Sequence, residues 1–226
     1  MYYVRCTVGA SSLTATVKAM NTAPKILVLD FETTGLSANA RPVEVAWVEV
    51  TPDLVPVDTV AQLLNPGGPI DPGATAVHGI TDAMVATAPS PEEFFASRGF
   101  TTTDVLLVAH NAPFDARFLQ PFCRLQGYVC TNRLARKFLP DAPNTKLATV
   151  TEILGINCVP THRALADVEA CLAVLQAFAK QKAMTLDDLR AVSDGHVKNL
   201  TMPFGKHRGT PIKDVPRSYV DWLRSQ

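Results

Sequence analysis

No net charge marks this 226-residue sequence, in which 21 basic residues balance 21 acidic ones. An overall basic field that would advertise a polyanionic partner is therefore missing. No apolar run approaches the roughly 20 residues that a helix needs to span a bilayer. Residues 1–22 lack the basic start and apolar centre of a secretory leader. The five cysteines, Cys6, Cys123, Cys130, Cys158 and Cys171, are odd in number, scattered and without a C-x-x-C pair. That pattern argues against a disulfide framework or a structural zinc site, and for a reducing compartment. Internal repeats and low-complexity tracts are absent as well. Together these absences predict a cytoplasmic chain with no membrane partner. What is present is core: 47% of residues are hydrophobic and 19% charged, the balance of a globular protein.

The neutral total hides an uneven distribution. Residues 24–95 hold two basic residues against ten acidic ones, whereas 196–226 hold six basic against two acidic. A basic tail on an acidic body can guide a polyanion, although short basic segments also serve simply as solvated surface. The chain divides into an N-terminal extension at 1–22 (with Met20 an alternative start), a main domain at 23–182, a connector at 183–200, and a small basic C-terminal module at 201–226.

Within the main domain, KILVLDFETTGL (25–36) reads as a strand buried on both faces that ends in a turn. VEVAWVEV (43–50) and VDTVAQLL (57–64) follow as strands, with a Thr51-Pro52-Asp53 turn between them that predicts a hairpin. Short helical pieces are expected near 74–77, 81–86 and 91–97, then a fourth strand at 104–109. Pro113 suits the first turn of a helix. The spacing of Phe114, Phe118, Phe122 and Leu125 carries that helix to about 126. A fifth strand is expected at 128–130, and helices at 132–138, 146–154, 162–180 and 186–192. Hairpin strands followed by alternating helix and strand predict an α/β sheet with helices on both faces.

Four acidic residues stand out, in three places. Along the first strand Ile26, Val28, Asp30 and Glu32 share one face, so two carboxylates project together at the end of an apolar surface. Ionised carboxylates so placed need a partner or a metal. They are half of a divalent-metal site, or else a strand running into a solvated acidic turn. Asp115 sits just after the fourth strand in the first turn of its helix, where an acid also simply favours the helix dipole. Asp167 interrupts the apolar stripe Ala164, Cys171, Val174 and Phe178, so it is expected to be partly buried. It requires either a cation such as Arg163 or Arg136, or a metal. His162 precedes Asp167 by about 140° around a helix. The two therefore cannot share a helical face. With Thr161 as N-cap, His162 falls at the helix start or in the loop before it, where it can move. A neutral imidazole there is a natural proton acceptor at physiological pH.

Taken in order, DFETTGL, AHNAPFDARFL and HRALAD resemble the three motifs of the DEDDh branch of the 3′-to-5′ exonucleases, over about residues 25–180. The resemblance implies a ribonuclease H-like mixed sheet flanked by helices. It also implies that Asp30, Glu32, Asp115 and Asp167 are metal ligands and that His162 is the general base. Four carboxylates without a soft ligand suit two Mg²⁺ or Mn²⁺ ions better than zinc. By the same resemblance Thr33, Thr34 and Leu36 line the pocket of the terminal nucleotide, with Leu36 an apolar wedge. His78, in AVHGI, approaches the sugar or base. Phe114 offers a stacking face or serves as core of its own helix. The segment FGKHRGTPIKDVPRSYVDWL (204–223) is similar to a short tail found in part of the family. Its Lys206 and Arg208 either touch phosphates or belong to a packing unit. The expected activity is metal-dependent hydrolysis of DNA from single-stranded or duplex 3′ ends, releasing nucleoside 5′-monophosphates. RNA is not excluded as substrate. An exoribonuclease of the same fold and a polymerase-associated proofreading subunit are the alternatives.

Overall fold

β1 (Lys25–Thr33) is the centre of the molecule: β2 (Pro42–Val50) pairs with it antiparallel on one side and β4 (Asp104–Ala109) parallel on the other. In the computed structural model, residues 23–195, 202, 205–210 and 214–224 are described. The N-terminal extension with Met20, connector residues 196–200, and several residues of the C-terminal module lie outside that set. β3 (Pro56–Leu63) adds antiparallel to β2 and β5 (Arg124–Cys130) parallel to β4, so the five-stranded mixed sheet runs β3-β2-β1-β4-β5. The fold is the expected ribonuclease H-like one.

β1 sorts its side chains between two cores, as the period of two requires. Ile26 and Val28 join Ala46, Val48, Leu106 and Val108 on one face. That face is covered by α5 (Thr131–Phe138), α6 (Leu147–Ile153), α7 (Ala164–Lys182) and α8 (Leu186–Asp194). Leu27, Leu29 and Phe31 join Val45, Trp47, Val105 and Leu107 on the other. α3 (Pro91–Ser97), a 3₁₀ turn at Phe100–Thr102 and α4 (Ala112–Leu119) cover that second face. There Trp47 packs against Phe94, Phe95 and Phe100 with ring centroids 5.2–6.2 Å apart. Two short helices, α1 (Pro72–His78) and α2 (Asp82–Val85), lie beyond β3, and α9 (Arg217–Arg224) ends the described chain. No helix among the described residues is long and apolar enough to cross a membrane.

The helix expected to reach residue 126 stops at Leu119. Gln120 is still helical in backbone and donates to the Ala116 carbonyl, but Pro121 has no N–H with which to continue the ladder. Leu125 instead pairs with Val105 in the sheet, so β5 begins four residues earlier than the expected 128. Phe122 stacks on Phe95 at 4.4 Å from the turn between the two elements. The helical spacing of these apolar residues is fortuitous. Thr161 is not the N-cap of α7 either: Arg163 holds that position without a side-chain cap bond.

Candidate active site

The site forms where β1 outruns its parallel neighbour. Pairing of β1 with β4 ends at Val28 opposite Val108, while pairing with β2 continues in register to Glu32 opposite Glu44 and, past a register shift, to Thr33 opposite Pro42. A backbone N–H left beyond the ladder needs another acceptor. α4 supplies one, because Asp115 Oδ1 accepts from Phe31 N at 3.2 Å. Asp115, only 1% exposed, is thereby tied to the backbone between Asp30 and Glu32 from the opposite helical layer.

From the other layer α7 brings Asp167 over the same strand end. Ala164, Cys171, Val174 and Phe178 of its stripe are buried, and Asp167 is half-buried among them, as the interrupted stripe predicts. Asp167 Oδ1 accepts from Thr161 N at 2.9 Å, which folds the loop before α7 back over the helix. His162 lies in that loop with φ 56, a left-handed backbone rare for a non-glycine residue. The turn removes the angular conflict of a shared helix: ligand atoms of Glu32, His162 and Asp167 lie within 4.8 Å of one another.

Electrostatics decides what such a cluster can hold. Burial and then the neighbouring carboxylates Asp167 and Glu44 push Asp30 up to about 7. Burial, then Asp30, Asp167 and Glu44, push Glu32 up to about 9, against the pull of the Arg163 guanidinium. Asp115 is raised well above the carboxylate range by burial and by Asp30, and the Phe31 N–H opposes this. Asp167 is raised by burial, against backbone N–H donors at Thr161 and His162 and the His162 ring. The four carboxyl groups resist ionisation because they are desolvated beside one another. Divalent cations would relieve that cost, and a set of four carboxylates, with an imidazole beside it, fits hard ions such as Mg²⁺ or Mn²⁺.

The residues expected to meet substrate differ in their surroundings. Leu36 is 84% exposed on the turn after β1. Thr33 is buried and its hydroxyl donates to the Gly35 carbonyl at 2.7 Å. Thr34 is held through backbone bonds: its N–H donates to the Arg41 carbonyl, and its own carbonyl accepts from Asp71 N. His78 is buried with both ring nitrogens committed: Nδ1 accepts from Ile80 N at 3.0 Å, so Nε2 donates to the Thr33 carbonyl at 3.2 Å. In this arrangement it braces the end of β1. Phe114 is half-buried, edge-on to Phe118 at 5.2 Å and covered by the Arg117 guanidinium at 4.6 Å. Lys206 is exposed, and Arg208 donates to the Pro143 carbonyl at 3.4 Å, tying the tail to the loop before α6.

Sequence reasoning missed Glu44. Among the described residues neither Arg163 nor Arg136 pairs with Asp167: Arg163 forks onto Glu44 instead, at 2.7 and 3.1 Å. The signal was available. In VEVAWVEV, Glu44 shares the face of Ala46, Val48 and Val50, so it interrupts an apolar stripe just as Asp167 does.

Comparison with known proteins points to one family for the main domain. A family model described as Exonuclease covers residues 27–175. A second model, named for a quorum-sensing-regulated virulence factor, covers 195–226. Exodeoxyribonuclease 10 of Escherichia coli K12 is 32% identical over 87% of this chain and 89% of its own length. A PolC-type DNA polymerase III of Caldanaerobacter subterraneus is 33% identical over 88% of this chain, but only 14% of that protein is covered. The structure of Exonuclease X in complex with 5′ overhanging duplex DNA superposes with a TM-score of 0.63 at 30% identity. That match covers 74% of this chain and 99% of the other.

Proposed function

The chain belongs to the exonuclease family, and from that premise we propose that it removes nucleotides from 3′ ends of DNA as 5′-monophosphates. The observation that carries this reading is the convergence of Asp30, Glu32, Asp115, Asp167 and His162 at the end of β1. Similarity to an exodeoxyribonuclease over nearly its whole length favours DNA as substrate.

Asp30, Glu32, Asp115 and Asp167 are the proposed ligands of two divalent cations, Mg²⁺ or Mn²⁺. Such ions, when bound, supply charge compensation for the phosphate and activation of the attacking water. The chain does the rest. His162, exposed at the rim, takes a proton from the water as its oxygen bonds to phosphorus. The bond from phosphorus to the 3′ oxygen breaks, and that oxygen leaves on the shortened strand and gains a proton from solvent. Thr33, Thr34 and the exposed Leu36 form the seat of the terminal nucleotide, with Leu36 free to insert beside its base. His78 holds the carbonyl of Thr33 in that seat. Phe114 offers a partly exposed ring for a base, and Lys206 a cation for the incoming strand.

The test offers single-stranded DNA, duplex DNA and RNA, each labelled at the 5′ end, with Mg²⁺ or with chelator. A ladder of 3′-shortened DNA that chelator abolishes supports the proposal. Degradation of RNA alone overturns the substrate, and no cleavage of any of the three overturns the enzymatic reading.

A further inference from the structure

Glu44 is a fifth carboxylate at the same strand end, directly opposite Glu32 in the antiparallel register. Like charges so placed repel. Yet it is turned to other partners, because both of its oxygens already accept hydrogen bonds. Oε1 accepts from Arg163 Nη2 at 2.7 Å; Oε2 accepts from Arg163 Nε at 3.1 Å and from Ala164 N at 3.0 Å. A guanidinium fork of this kind fixes direction as well as charge. Glu44 is 5% exposed in the sheet, so it is a rigid anchor.

What it anchors is the loop bearing His162. A left-handed non-glycine backbone persists only where its surroundings over-determine it. At His162 the surroundings do so on both sides. Thr161 N is held by Asp167 before it, and Arg163 and Ala164 N are held by Glu44 after it. His162 itself stands exposed between these two pins.

We propose that Glu44 and Arg163 form a latch that sets the position of His162 for proton transfer, a positioning pair rather than catalytic groups. The inference rests on the reading of His162 as proton acceptor. The latch would act through geometry: Arg163→Lys keeps the charge but loses the fork, and Glu44→Gln keeps the shape but loses an acceptor.

The experiment measures kcat, KM and Mg²⁺ half-saturation on 5′-labelled single-stranded DNA for E44Q, R163K and H162A, and for E44Q and R163K each combined with H162A. Thermal unfolding and the histidine ring NMR signals of the metal-free proteins are followed alongside. We expect H162A to lose about 10²–10⁴-fold in kcat. E44Q and R163K should each lose about 10–100-fold, with KM and Mg²⁺ half-saturation within about 3-fold of wild type. In the H162A background neither should cost anything further, since residues acting through one group are not additive. The ring signals of His162 should move in E44Q and R163K, while those of His110, whose ring bonds to Thr131, Thr145 and Asn132, stay. Multiplicative losses in the double variants, or unchanged His162 signals, overturn the latch. So does R163K with wild-type kcat, or a loss explained wholly by a lower unfolding temperature. Wild-type activity of H162A overturns instead the reading of His162 on which the latch depends.

Discussion

At the scale of single residues, the site is a set of acids held against their preference. Glu32 is pushed up to about 9 and Asp30 to about 7, from ordinary values of 4.5 and 3.8. Through these two groups the folded chain binds more protons than the unfolded one, so their contribution to metal-free stability should fall as pH rises from about 3.8 to 9. Divalent ions bind the ionised carboxylates, so the rise in melting temperature on adding Mg²⁺ should grow across the same window. Scanning calorimetry at pH 5.5 and 8.5, with and without Mg²⁺, checks both trends. A Mg²⁺ shift that shrinks towards high pH would contradict the raised carboxyl groups. Asp115→Asn retains an oxygen for the Phe31 N–H, so the strand end should keep its shape. Cleavage in Mg²⁺ should nonetheless fall by at least about 10²-fold, a loss of roughly 3 kcal/mol in transition-state stabilisation. A melting temperature near wild type would separate the chemical loss from the structural one.

At the scale of elements, two strands and two helices carry the site, and their legibility differed for physical reasons. β1 was readable because burial on both faces leaves a continuous apolar run, and the alternation within it aligns Asp30 with Glu32. α7 was readable because one acid interrupts its stripe. The end of α4 was not readable, because apolar residues of the following turn and of β5 happen to continue its helical spacing. The loop before α7 was also hidden: the left-handed turn at His162 depends on bonds to Asp167 and Glu44 that are distant or indirect in sequence. The aromatic wedge between β2 and α3 belongs to the same scale. Trp47, 2% exposed, is surrounded by Phe94, Phe95 and Phe100, with the Arg98 guanidinium 5.6 Å from its ring. Trp47→Ala should cost about 3–5 kcal/mol, the range for emptying an aromatic core position. Urea unfolding in Mg²⁺-free buffer measures this directly. Since Trp47 lies on the sheet face opposite Asp30, activity per folded molecule should change far less than stability.

At the scale of the whole molecule, a neutral chain carries an acidic site in its main domain and a basic last segment. Composition suggests a connector at 183–200, yet α8 within it packs Leu186 and Leu189 into the main core and bonds Ser193 to Cys130 of β5. The proposed role of the basic tail after it is to neutralise phosphates of the strand being fed to the site. Replacing Lys206 and Arg208 with alanine in the full chain should raise KM. The slope of log KM against log salt should fall by about 0.7 for each single-strand phosphate that the tail ceases to neutralise. Titrating NaCl in the cleavage assay reads that slope, and an unchanged slope would leave Arg208 only its bond to the Pro143 carbonyl. The direction and the chemistry of cleavage are both read by one assay. Wild type and Asp30→Asn are incubated with 5′-labelled single-stranded DNA in Mg²⁺, and fragments and released nucleotides are resolved together. A metal-dependent 3′ exonuclease gives a ladder shortened from the 3′ end and nucleoside 5′-monophosphates as product, and the variant gives neither. Label released as a mononucleotide from the 5′ end, or a ladder that survives Asp30→Asn unchanged, would overturn that function.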